Sequence, residues 1–154
     1  IEAEAKFAGY MVQSVETVPL RPLTSGEETV LKASAASFSA VVEAMRPGAA
    51  YADLIALWEK VATGPGYRPG RTMGHGLGLG QDGPLTTRGG RAGGAVVEEG
   101  DCFVLKPWVE DEAGTLSGRV GANVIVERGG ATVLGSSGLS WAGPVRSVHS
   151  RSVH

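Results

Sequence analysis

The feature that most constrains the fold of this chain is a stretch in which glycine recurs at every second position around one histidine. The stretch runs from Met73 to Pro84 and reads Gly-His-Gly-Leu-Gly-Leu-Gly between Gly74 and Gly80. Alternation with a period of two is typical of a β-strand, and glycine leaves one face of that strand smooth. A smooth face is needed where another group must approach the backbone closely. The stretch therefore predicts a strand that carries His75, with a glycine-rich loop and an incidental histidine as the alternative.

The size and charge of the chain are those of one globular domain. It has 154 residues, 42% of them hydrophobic, and a formal net charge of -2. Such a charge gives no electrostatic footprint for nucleic acid, and no apolar run approaches the roughly 20 residues of a membrane span. We therefore expect neither nucleic acid nor a membrane as a partner.

The single cysteine and the first residue bear on the origin of the chain. Cys102 excludes an internal disulfide and fits a reducing compartment, which favours a cytoplasmic location. It lies in an apolar run, so we expect a buried and inert thiol. The chain begins with Ile1 rather than methionine, and we expect it to be a processed or cut piece of a longer protein.

Periodicity predicts two strands, two helices and then several further strands. Residues 1–18 alternate between apolar and charged positions and are interrupted at Gly9, which predicts an antiparallel hairpin. A first helix is predicted from an N-cap at Ser25 to about residue 46, where a Pro-Gly pair follows. A second helix is predicted from about Ala50 to Ala62. Strands are expected at residues 102–109, 117–127 and 131–134, and a loop rich in glycine and arginine at residues 86–94.

This order of elements predicts an α+β fold in which two helices pack on the outer face of a curved antiparallel sheet. Residues 1–135 are expected to form the domain and residues 136–154 a C-terminal tail. The tail repeats Arg-Ser-Val-His at 146–149 and 151–154. We expect it to be disordered or partner-dependent, with solvated histidines.

Five motifs in order give the chain a resemblance to the creatinase, aminopeptidase P and methionine aminopeptidase superfamily, which has the pita-bread fold. They are Glu2 to Tyr10, the following strand at residues 11–17, Arg46-Pro47-Gly48, Gly74 to Gly78, and Gly100 to Pro107 followed by Arg119-Val120. The resemblance covers residues 1 to about 135 and corresponds only to the second half of the family's catalytic domain. It implies a partner that completes the domain, either a second copy in a homo-oligomer or a second polypeptide.

The resemblance also implies where metal ligands would lie, and the chain departs from the family at most of these positions. Family members that use metal hold two divalent ions with two aspartates, a histidine and two glutamates. The corresponding residues here are Glu2, Gln13, His75, Lys106 and Gly121. One carboxylate and one imidazole cannot offset two cations, and an ammonium would repel them. We therefore predict a pocket without metal and without another cofactor.

The first hypothesis for the function is a metal-independent enzyme that acts on a small amide, amino-acid-like or peptide-like substrate. Creatinase gives a precedent in the family for cleaving a C–N bond without metal. His75 would be the acid/base, since imidazole titrates near neutral pH. Lys106 would bind or polarise a substrate carboxylate or carbonyl, and Glu2 would orient Lys106 or accept a proton. The residues predicted to contact the substrate are Gln13, Gln81, Asp82 and Arg119.

The alternative is a catalytically inactive pita-bread domain that serves as a peptide- or protein-binding module. The loss of most metal ligands fits this hypothesis equally well. A cluster of charged groups in a cleft is costly to bury unless it has a use, which favours the enzyme. An ordinary ion pair that fills a former metal site explains the same cluster.

Overall fold

The structure is a computed structural model that describes residues 1–90 and 92–135, with the backbone alone for residues 81 and 82. The predicted tail at 136–154 lies outside the described residues. Two α-helices and ten β-strands are present in the described part. In chain order they are β1 (Glu2–Phe7), β2 (Tyr10–Val15), α1 (Ser25–Ala44), α2 (Tyr51–Val61), β3 (Tyr67–Pro69), β4 (Thr72–Leu77), β5 (Gln81–Thr87), β6 (Cys102–Leu105), β7 (Trp108–Asp111), β8 (Ser117–Arg119), β9 (Ala122–Glu127) and β10 (Gly130–Leu134).

All the strand pairs are antiparallel, and the strands form three sheets. The largest sheet has the order β10-β9-β6-β4-β5, a second has the order β3-β7-β8, and β1 and β2 form a hairpin. Together with the two helices this confirms the predicted α+β class. Neither helix in the described residues is long and apolar enough to cross a membrane.

Both helices pack against the sheets and bury a continuous apolar core. α1 contacts α2, β7, β8 and β10, and α2 contacts β3 and β5. The core includes Phe38, Met45, Trp58, Phe103 and Val124, each no more than 1% exposed. Fully burying a side chain of this kind contributes about 1.5–3 kcal/mol, so these contacts hold the helices on the sheets.

The capping residue of the first helix lies one residue before the predicted N-cap, so the helix begins at Ser25 itself. Thr24, not Ser25, is the capping residue, because its hydroxyl accepts the Glu27 N–H and the Glu27 carboxylate accepts the Thr24 N–H in return. This reciprocal capping box satisfies two backbone groups at once.

Several predicted strand boundaries are wrong, and each has a local cause. The predicted strand at 102–109 is divided at Lys106-Pro107, where proline has no N–H for the ladder. The stretch from Met73 to Pro84 is not one strand, since it forms β4, a turn and the beginning of β5. β5 then continues to Thr87, into the predicted loop. Cys102 is half-buried rather than buried, although burial still raises the pKa of its thiol.

The hairpin predicted for the first residues is confirmed, and it lies at one side of the predicted cleft. Its turn lies at Ala8 and Gly9, both with positive φ. β2 packs against β4, β6 and β9, and the Gly121 N–H donates to the Val15 carbonyl. β2 therefore lies between the largest sheet and β1, whose six residues are all exposed.

Candidate functional site

His75 lies on β4, in the interior of the largest sheet between β5 and β6. Gly74, the residue before it, allows the predicted close approach of another group to the backbone, because a Cβ on Gly74 would overlap the Val104 carbonyl oxygen. The His75 side chain is buried, and its Nδ1 lies 2.9 Å from the carbonyl oxygen of Gly76. A carbonyl can only accept a hydrogen bond, so Nδ1 carries the proton. The neutral ring then has its lone pair on Nε2, which is the atom that can act as a base.

Lys106 follows β6 and is only 8% exposed. Its Nζ donates to Glu2 Oε1 at 2.6 Å and to Gln13 Oε1 at 2.9 Å. Its backbone N–H donates to the Met73 carbonyl at 2.8 Å, which fixes the segment against the strand of His75. The ammonium thus has oxygen partners from both strands of the hairpin.

Glu2, on β1, is surrounded by positive groups. Besides Lys106, its Oε2 lies 3.7 Å from Nη1 of Arg119. The hydrogen bond from Lys106 is the largest cause of the lowered pKa of Glu2, while partial burial opposes it. The charges of Lys106 and Arg119 lower the pKa further, as does His75 when its ring is protonated. Glu2 is therefore a stable carboxylate at neutral pH and a weak proton acceptor.

Gln13 is 1% exposed, and both ends of its amide are engaged by protein groups. Oε1 accepts from Lys106, and Nε2 donates to the Glu4 carboxylate. Asn123 of β9 also bonds both main-chain groups of Gln13, at 3.2 Å to its N–H and 2.8 Å to its carbonyl. Sequence reasoning missed Glu4 and Asn123. The period of β1 could have indicated Glu4, because it lies two residues from Glu2 on the same face.

Arg119 ends β8 and lies at the edge of the cluster. Its Cζ is 3.8 Å from the centroid of the Trp108 ring, a cation–π distance. Burial lowers the pKa of Arg119, and the charge of Glu2 opposes this. The guanidinium is therefore held in place by an aromatic face and remains near the carboxylate.

The structure brings five of the seven predicted site residues together. They are Glu2, Gln13, His75, Lys106 and Arg119. Gln81 and Asp82 lie on β5, with their backbones opposite Leu77 and Gly76 of the histidine strand. Their side chains are outside the described part of the structure, so their predicted substrate contacts stay predictions.

The residues at the predicted metal-ligand positions do not fit a two-metal centre. The Lys106 ammonium is the hydrogen-bond donor to Glu2, the carboxylate that would have to ligate. At position 121 even a Cβ would lie 2.8 Å from the Leu105 carbonyl oxygen and from Lys106 Cβ, so a glutamate does not fit there without a backbone shift. The described residues contain no group of three or more His, Cys, Asp or Glu that could hold an ion.

Comparisons with known proteins agree with this fold. The sequence profile of metallopeptidase family M24 matches residues 1–133. The solved structures with a similar fold include methionine aminopeptidase from Rickettsia prowazekii, with a TM-score of 0.75 and 18% identity. They also include a dipeptidase and a prolidase from Pyrococcus horikoshii OT3, with TM-scores of 0.76 and 0.75 and identities of 21% and 16%. A search of curated proteins finds no match.

The similarity covers most of this chain but only part of those proteins. The alignments include 86–88% of this chain, 61% of the aminopeptidase, and 38% of the dipeptidase and the prolidase. At these identities the likeness shows the fold, and it confirms the pita-bread resemblance drawn from the motifs.

Proposed function

The chain belongs to metallopeptidase family M24, and from that premise we propose that it is a metal-independent member of the family that acts on a small amide or peptide-like substrate by acid/base chemistry. The observation that carries the proposal is the Lys106 ammonium, 2.6 Å from Glu2. A divalent ion would have to displace this ammonium, and at the five predicted ligand positions it would find only one carboxylate and one imidazole. The fixed positive charge supplies part of what a metal ion supplies to a substrate oxygen.

His75 is the proposed acid/base, because its hydrogen bond to Gly76 leaves the lone pair on Nε2. In amide hydrolysis, a water molecule adds to the carbonyl carbon while Nε2 accepts its proton. The C–N bond then breaks, and the same proton passes to the leaving nitrogen. Glu2 has a lowered pKa and orients Lys106 rather than acting as a base.

Lys106 and Arg119 are the proposed contacts for a substrate carbonyl or carboxylate. An ammonium has three N–H donors, and Glu2 and Gln13 engage two of them. A ligand oxygen can take the third. Gln13 itself is buried and engaged at both ends, so we assign it the role of holding Lys106 rather than contacting substrate.

The second candidate function is a binding module without turnover. The specific observation in its favour is that Lys106 and Glu2 already neutralise each other. A cleft of this kind can hold a peptide-like ligand through Arg119 and the third Lys106 donor without any proton transfer.

We also propose that further polypeptide covers the outer face of the hairpin. Ile1, Phe7, Tyr10 and Val12 share this face and are 51–87% exposed, which is unusual for neighbouring apolar side chains. The solved relatives contain residues beyond those that this chain matches, so the proposed occupant is a unit equivalent to that part. Light scattering tests this. A monomer that binds no hydrophobic dye would contradict it, and a homodimer would assign the face to a second copy.

We further propose a cytoplasmic location. The single cysteine, Cys102, is free and half-buried, which fits a reducing compartment.

Turnover in the presence of a chelator tests the proposed activity. Purified protein is incubated with EDTA and a mixture of small amides, dipeptides and Xaa-Pro peptides, and products are followed by mass spectrometry. We expect EDTA-resistant cleavage that falls by roughly 10²–10⁴-fold in His75→Gln, the range for loss of a general acid/base. Binding without cleavage would establish the module instead. Cleavage that EDTA abolishes and Mn²⁺ restores would overturn metal independence.

A further inference from the structure

Strand pairing is interrupted between the two chain segments that carry Lys106 and Arg119. β6 pairs with β9 up to Leu105 opposite Ala122, and β7 pairs with β8 from Trp108 opposite Arg119. The register is the same on both sides of this gap. Pro107 and Val120 therefore lie opposite each other at a position where no strand pair is formed.

A side chain from α1 lies in this gap. The Ser34 hydroxyl donates to the Pro107 carbonyl at 2.6 Å and accepts the Val120 N–H at 3.1 Å. Ser34 is fully buried, so water does not compete for these groups. One hydroxyl thus replaces a direct backbone hydrogen bond between the two segments and connects both of them to the helix.

The two backbone groups that Ser34 binds are next to the two cations of the cleft. Pro107 follows Lys106, and Val120 follows Arg119. These cations contact the two oxygens of the same carboxylate, at 2.6 and 3.7 Å. A change in the separation of the strands would move one cation relative to the other.

We infer that Ser34 is a positioning residue, whose hydroxyl sets the spacing between Lys106 and Arg119 and so the charge pattern that a ligand meets. The inference rests on the proposed function only in taking these two cations as ligand contacts. The hydroxyl acts through the backbone and does not touch the ligand.

The helix offers a matched control for a merely structural role. Ser37 is also fully buried on α1, but its hydroxyl donates to Ala33, within the helix itself, at 2.8 Å. Ser34→Ala and Ser37→Ala each remove one buried hydroxyl from the same helix, and only the Ser34 hydroxyl is hydrogen-bonded to Pro107 and Val120.

Nitrogen-detected NMR of the full chain reads the two cations directly. In Ser34→Ala we expect the Lys106 ammonium and Arg119 guanidinium protons to exchange with solvent several-fold faster than in Ser37→Ala, after both rates are normalised to global stability. The Val120 amide should lose protection in the same variant. Ser34→Cys, with a small side chain that donates weakly, should fold and show a smaller effect in the same direction.

The inference is overturned if the side-chain protons of Lys106 and Arg119 exchange at the same normalised rates in Ser34→Ala and Ser37→Ala. If Ser34→Ala does not fold, unchanged exchange rates in Ser34→Cys overturn it instead. The measurement needs no ligand and no turnover. A failed activity screen would therefore count against the proposed function and leave this result standing.

Discussion

Replacing Lys106 by alanine tests the central claim that the ammonium and its stem fill the cleft. The change removes three methylene groups from a side chain that is 8% exposed. It also removes the donor from Glu2 and from the buried Gln13 amide oxygen.

The expected cost follows from these contacts. Burial contributes about 0.8 kcal/mol per methylene group, so loss of the stem costs about 2 kcal/mol. Each lost hydrogen bond adds about 0.5–1.5 kcal/mol. The Glu2 side chain is 37% exposed and keeps Arg119 nearby, so its charge is resolvated and the penalty stays below that of a fully buried pair. We expect a decrease of about 3–5 kcal/mol in the free energy of unfolding.

Two variants separate the parts of this effect. Lys106→Met keeps an apolar stem and removes the ammonium with both of its hydrogen bonds, and should cost about 1–3 kcal/mol. Lys32→Ala breaks an exposed ion pair with Glu28 of similar length, 2.8 Å, and should cost less than about 0.5 kcal/mol.

Urea denaturation at pH 7, followed by circular dichroism, gives all three free energies. The reasoning is wrong if Lys106→Ala costs no more than Lys32→Ala, because the ammonium would then be an ordinary surface group. It is also wrong if Lys106→Met matches wild type, because the hydrogen bonds would contribute nothing.

Four further predictions concern the carboxylates of Glu2 and Glu27, the space at Gly121 and metal binding. Glu2→Gln should be less stable than wild type at neutral pH, because only the ionised carboxylate is stabilised in the folded protein. The difference should vanish as the pH falls below about 4.5 and through the lowered folded-state pKa of Glu2. A stability difference that stays constant across thermal melts at a series of pH values would contradict this. Glu27→Gln should likewise lose its deficit between pH 4.5 and about 2, the pKa that Arg21 and Thr24 give the Glu27 carboxyl. Gly121→Ala should lower the free energy of unfolding by about 1–3 kcal/mol, because its Cβ would press on Leu105 and Lys106. Gly129→Ala, where a Cβ meets open space, should lower it by less than about 1 kcal/mol. Equal denaturation midpoints for the two variants would refute the steric argument. Neither wild type nor Lys106→Glu should hold stoichiometric Mn²⁺, Co²⁺ or Zn²⁺ in elemental analysis, because Gln13 and Gly121 supply no carboxylate; a bound ion in wild type would overturn metal independence.

The sequence by itself determined the elements whose cause is local. The alternation in residues 1–18 with Gly9 predicted the hairpin, and apolar spacing predicted both helices to within two residues. The Gly-His-Gly pattern predicted the strand of His75 and the close approach of another chain segment at Gly74. Motif order also predicted that His75 and Lys106 would lie in one cleft.

Only the tertiary structure decided how the charged groups share their hydrogen bonds. Lys106 meets Glu2 across 104 residues of sequence, and Ser34 meets Val120 across 86. Such contacts depend on how the hairpin and α1 dock on the sheets, and docking is set by core packing that no local period encodes. The same packing closes the space at Gly121 and divides the ladder beside Pro107. Glu2, Gln13, His75 and Lys106 were therefore readable as candidates from the sequence, whereas Glu4, Asn123 and the partner of every one of these residues were fixed only by the fold.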